Sequence, residues 1–177
     1  MQKFGFLACY LLVFATASIT FAQAAQQNPS RPFGPRSCGP VDPSYIRVAE
    51  DTGGIPFFFH RSEVAQSTKF MLASTGENRV TLLWAKGSLQ NNTREFLVPV
   101  DSTIEQIVFT LSTDNQDMKM EVFGFDNTPI TAESHAEATD FACGRFIIMR
   151  KPSAGSYRVR VQGSGRFWVS VRRTSRT

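Results

Sequence analysis

From residue 79 onward the chain repeats one pattern, short runs of β-branched and aromatic residues broken by Gly, Asn, Asp or Pro. The runs cover 79–84, 94–100, 104–111, 118–125, 145–149, 157–161 and 167–171. Short strands with turn signals between most of them predict a mostly β protein, an antiparallel β-sandwich of about seven to eight strands. Alternation is clearest at the end. Tyr157, Val159 and Val161 share one face, opposite Arg158, Arg160 and Gln162. Gly163-Ser164-Gly165 then reads as a turn into Phe167, Val169 and Val171, opposite Arg166, Trp168, Ser170 and Arg172. The expectation is a hairpin with one apolar and one basic face.

The other end of the chain sets its chemical surroundings. Lys3, an apolar run over 4–21 and Ala22-Gln23-Ala24 form the three parts of a signal peptide, with cleavage expected before Ala25. The expected location is secreted or periplasmic. Thr16, Ser18 and Thr20 interrupt the apolar run, and no basic stop-transfer flank follows it, so no membrane span is expected in the mature chain. Cys9 would leave with the leader, so Cys38 and Cys143 remain as the mature protein's two cysteines. In an oxidising compartment such a pair is expected to form a disulfide. Closing a loop of about 105 residues would contribute roughly 4 to 5 kcal/mol in chain entropy. The alternative, a Cys nucleophile working with His60 or His135, has no local signature.

Residues 25–43 form a Pro-rich arm and 44–74 a helix-strand-helix segment. Asp42-Pro43 supplies an N-cap and a first-turn proline, Ile46 and Ala49 an apolar stripe, and Gly53-Gly54 a stop. A buried strand is expected over 55–59 and a second helix, capped by Ser62, through Met71 and Leu72. The sandwich is expected over 75–171, followed by a basic tail at 172–177. Nine Lys or Arg and no Asp or Glu follow Cys143, whereas 25–143 carries nine basic and 15 acidic residues. A basic last quarter therefore sits on an acidic body.

Segments 98–112, 120–128 and 147–171, with Lys151-Pro152-Ser153-Ala154-Gly155-Ser156-Tyr157 opening the final pair of runs, resemble a known β-sandwich. It is the galactose-binding-like domain that follows the von Willebrand factor A domain in hemicentins and related extracellular proteins. Tyr157 stands where that family usually has Trp, and Asp126-Asn127-Thr128-Pro129 replaces its Pro-x-Gly turn. Upstream, 45–72, with Ala49-Glu50-Asp51-Thr52-Gly53-Gly54 and Ser62-Glu63-Val64, is similar to the A domain's last helix, strand and helix. The sequence assembles no catalytic constellation, so a noncatalytic interaction or adhesion-type module is expected. Metal-dependent adhesion does not carry over from the resemblance, because the A domain's Asp-x-Ser-x-Ser loop has no counterpart here, and no metal is expected.

Candidate sites are few. Glu133, His135 and Glu137 alternate but offer no fourth ligand at zinc or calcium spacing, and Asp114-Asn115-Gln116-Asp117 reads as a polar turn. No cofactor is expected. Phe57-Phe58-Phe59 reads as core. Trp168, placed by alternation among Arg158, Arg160, Arg166 and Arg172, is the candidate ligand surface, with an exposed ring able to stack on a sugar. Asn91-Asn92-Thr93 is a glycosylation acceptor by pattern. The preferred expectation is a secreted noncatalytic module, and the alternative a carbohydrate-binding domain. The partner would be an extracellular protein or an acidic polysaccharide, and nucleic acid is not expected.

Overall fold

The computed structural model describes residues 38, 42–68, 78–131 and 136–175. The leader, most of the arm, Met71, Leu72, Glu133 and His135 lie outside the described residues. The chain is mostly antiparallel β with two short helical pieces. Helix α1 is Pro43–Asp51, and a 3-10 turn at Arg61–Glu63 runs on helically through residue 68. The strands are β1 (Arg79–Val100), β2 (Ile104–Thr113), β3 (Lys119–Phe123), β4 (Ala136–Phe141), β5 (Gly144–Arg150) and β6 (Gly155–Ser175).

Helix α1 begins where its sequence predicts. The Asp42 carboxylate accepts the Ser44 N–H at 2.9 Å, and Pro43 occupies the first turn, where its missing donor is not needed. The second helical piece starts differently from expectation. His60, not Ser62, is its cap residue, and the Glu63 carboxylate accepts the His60 N–H at 2.8 Å. Residues 55–59 form no strand but an extended strap.

Seven expected runs become six strands. Runs 79–84 and 94–100 join into β1, runs 157–161 and 167–171 join into β6, and β4 is an additional strand. The hairpin expected at Gly163–Gly165 is therefore replaced by one continuous strand, and β6 includes the residues expected to begin a basic tail. The strand order is β1-β6-β2-β5-β4, with β3 also pairing β6. β6 pairs with β1 from end to end, while its other edge is divided between β3 at residues 158–162 and β2 at residues 167–175.

This continuous β6 must fold over on itself. Phe109 pairs with Val171, fourteen residues along β6 from Tyr157, which would be about 46 Å away on a straight strand. Yet the rings of Phe109 and Tyr157 lie 6.1 Å apart. The bend falls at Gly163 and Gly165, whose φ angles of +127° and +129° are open to glycine and strained for other residues. Opposite them β1 is irregular between Leu89 and Asn92, and Asn91 takes φ 52° there. The result is sandwich-like. Val159, Val161, Phe167, Val169 and Val171 of β6 enclose one core with Phe109, Leu111, Met120 and Val122.

The outer face of the β2–β6 half is covered as well. Ile46, Phe58, Cys38, Cys143 and Trp168 form a second cluster, and Phe57 packs with Val108, Phe146 and Ile148 in a third. Cys38 and Cys143 are disulfide-bonded with Cα atoms 5.8 Å apart. The strap is anchored at Pro56 and by the residues that flank it. Trp84 Nε1 donates to the Gly54 carbonyl at 3.3 Å, Ser112 Oγ to the Pro56 carbonyl at 2.5 Å, and the Ala142 N–H to the Glu63 carboxylate at 2.7 Å.

Candidate functional site

The five residues of the expected ligand surface do not share one surface. Alternation places them on one nominal side of β6, but the bend points the outer faces of its two halves in opposite directions. Trp168 is 1% exposed, and its ring cannot serve as a platform for a sugar. Alternation within β6 alone predicts exposure, because nothing in that strand shows that Ile46 and Phe58 cover the ring. Phe58 lies 5.8 Å from its ring, the Arg166 guanidinium stands over it at 5.5 Å, and Nε1 donates to Glu50 at 2.9 Å. The Glu50 carboxyl is held below its usual range by hydrogen bonds from Lys86 first and Trp168 second.

Arg158 and Arg160 lie on the outer face of the other half. Arg160 bonds Glu95 at 2.8 Å and reaches Glu121 at 3.4 Å, and Arg158 hydrogen-bonds Asn127 and approaches Glu95 at 3.8 Å. Both guanidiniums lie within 5 Å of the Phe123 ring. The bond from Arg160 pulls the Glu95 carboxyl down, and the same bond pushes Arg160 up. Arg166 is held by Asp114 through its Nε at 2.7 Å and its N–H at 2.7 Å. Three of the four arginines are thus matched by carboxylates.

Arg172 has a different setting. Register pairs it with Thr81 of β1 and Val108 of β2, while the next pair out joins Arg79 to Thr174. Arg79 and Arg172 are therefore diagonal neighbours on one sheet face, a separation of about 7 to 8 Å. Thr110 and Ser170 form the adjacent pair on that face. The strap crosses above, and between them lies a cavity of about 200 Å³ lined by Ile55, Phe57, Arg79, Val108, Thr110, Ser170 and Arg172. Arg172 Nε is buried and meets no hydrogen-bond acceptor among the described residues. Burial first, and the Arg172 charge second, lower the pKa of Arg79.

Sequence reasoning singled out Arg172 but not Arg79, Thr110, Ser170 or the Ile55–Phe57 roof. No local signal joins them, since the cavity draws on four segments between residues 55 and 172. The lining can hold an anion against an apolar wall. Both cations are guanidiniums, which remain charged, and both hydroxyls can donate.

The remaining candidates fall elsewhere. Asn91 is exposed at the bend in β1, where its N–H donates to Ser164 Oγ at 2.8 Å. Asp114 and Asn115 form a polar turn, with Asn115 Oδ1 accepting the Asp117 N–H at 3.1 Å. Glu137 lies exposed on β4, 3.7 Å from Arg150. Among the described residues no three His, Cys, Asp or Glu side chains gather as a metal site. No protein-family model matches the chain, and no curated protein matches it.

Proposed function

We propose that the chain is an exported, noncatalytic binding module on a hemicentin-like sandwich. The observation that carries this reading is the lining of the cavity under the strap, which combines guanidiniums, hydroxyls and apolar side chains. Guanidiniums recognise oxyanions but do not exchange protons near neutral pH, so this lining favours capture over turnover. The carboxylates of Glu50 and Glu95 support the same reading. Hydrogen bonds from Lys86 and Arg160 respectively hold them below their usual range, the wrong direction for a general base poised near neutrality. The bond between Cys38 and Cys143 suits an oxidising compartment outside the cytosol.

The test uses the mature disulfide-bonded protein, immobilised and exposed to defined extracellular matrix proteins. Saturable capture, reversed by free module, with the captured protein's mass unchanged after long incubation, is the expected result. Cleavage or modification of the captured protein would overturn the noncatalytic reading.

A further inference from the structure

We propose that the cavity beneath the strap binds a small organic oxyanion, its acid head on Arg172 and Arg79 and its apolar body against Ile55, Phe57 and Val108. This rests on reading the chain as a binding module and adds the class of ligand.

Strand pairing brings two guanidiniums onto one sheet face, where their like charges repel. Arg172 buries Nε without an acceptor among the described residues, although a buried donor is normally satisfied. Guanidinium groups present planar donor pairs that match carboxylate and phosphate oxygens, and charge-assisted bonds are about twice as strong as neutral ones. An oxyanion at Arg172 would supply the missing acceptor.

The roof decides what the rest of the ligand is. Ile55 and Phe57 are half-buried on the strap, and Val108 lies on the sheet beneath. A bare inorganic ion would leave this wall in contact with water, whereas an apolar body on the acid would remove it from water at roughly 25 cal/mol per Å². The Thr110 and Ser170 side chains, both 4% exposed, add hydroxyl donors at the cavity edge. The cavity, about 200 Å³, has room for a single ring or short chain.

The experiment is calorimetric titration of the mature disulfide-bonded protein with benzoate, phenyl phosphate, inorganic phosphate and benzyl alcohol. Benzoate or phenyl phosphate should saturate one site, and which of them binds tighter identifies the head group as carboxylate or phosphate. Inorganic phosphate lacks the body and benzyl alcohol lacks the charge, so each should bind at least about tenfold more weakly. Arg172→Gln should weaken the preferred acid by about tenfold or more. Phe57→Leu, a milder change, should weaken the organic acid while leaving inorganic phosphate unchanged, and circular dichroism confirms folding of each variant. No binding of either organic acid, or equal binding of inorganic phosphate, overturns the proposal, while the module reading stands or falls separately on the capture of matrix proteins. Chemical conversion of the acid during titration, seen by proton NMR, would instead overturn the noncatalytic reading.

Discussion

Trp168, Glu50 and Lys86 form a chain of contacts that links α1 to the sheet. The indole donates to one Glu50 oxygen and the Lys86 ammonium to the other at 2.8 Å. Both bonds favour the ionised carboxylate, the Lys86 bond more than the Trp168 one, which is why its pKa is depressed. A carboxyl with a folded value below its unfolded one stabilises fully above the unfolded value, near 4.3, and loses that contribution as pH falls through the folded value. The urea midpoint should therefore decline below about pH 4.5 in the native protein and decline less steeply in Glu50→Gln. Identical slopes would remove Glu50 from the acid transition. At this scale alternation correctly places Trp168 opposite Phe167 and Val169, but exposure is a property of what lies on top. The cover comes from Ile46 and Phe58, more than a hundred positions away in the chain.

Among the elements, the bend in β6 divides what was legible from what was not. The start of α1 is written locally, in Asp42 and Pro43, and β2 follows its apolar run over 104–111 almost residue for residue. Local chemistry is enough there. The Gly163–Gly165 segment is ambiguous, because glycines suit a tight turn and a strand bend equally. Tertiary pairing with β1 on one side and β2 and β3 on the other selects the bend. Irregularities between Thr81 and Leu83 and between Leu89 and Asn92 also shift the phase of alternation in β1, so no single period spans it. Strand β4 has the polar sequence Ala-Glu-Ala-Thr-Asp-Phe, and its pairing with β5, not its propensity, makes it a strand. If the bend depends on glycine, Gly163→Ala should be costly. A β-carbon there would lie 2.5 Å from the Asp117 carbonyl at a positive φ, and the expected loss is about 1 to 3 kcal/mol or more in chemical denaturation. A loss under about 0.5 kcal/mol, within the range of an ordinary surface change, would mean that the bend does not depend on a glycine at position 163.

For the molecule as a whole, the uneven charge of the sequence is largely resolved by folding. The basic last quarter is brought against the acidic body, so that Arg158 and Arg160 meet Glu95 and Glu121, and Arg166 meets Asp114. Exposed pairs of this kind contribute at most about 1 kcal/mol each, but they cancel the field a polyanion would sense. Replacing Arg158, Arg160 and Arg166 with Ser should thus shift elution from a polyanion column only slightly at physiological salt. Complete loss of retention in that variant would restore the acidic-polysaccharide reading.

A sheet in which β1, β2 and β3 all lean on β6 also has an order of assembly. None of these three strands pairs with another among the described residues, so the chain through residue 154 lacks their common partner. Long-range pairings form late and slowly, which leaves β1 and β3 of a nascent chain without a partner strand among the described residues until β6 has been synthesised. If the chain is exported as proposed, a sheet still unassembled in this way would pass through a narrow translocation channel without first being unfolded. Truncation after Ala154 should accordingly leave a chain with no cooperative thermal transition, and a sharp transition in that fragment would argue against late assembly.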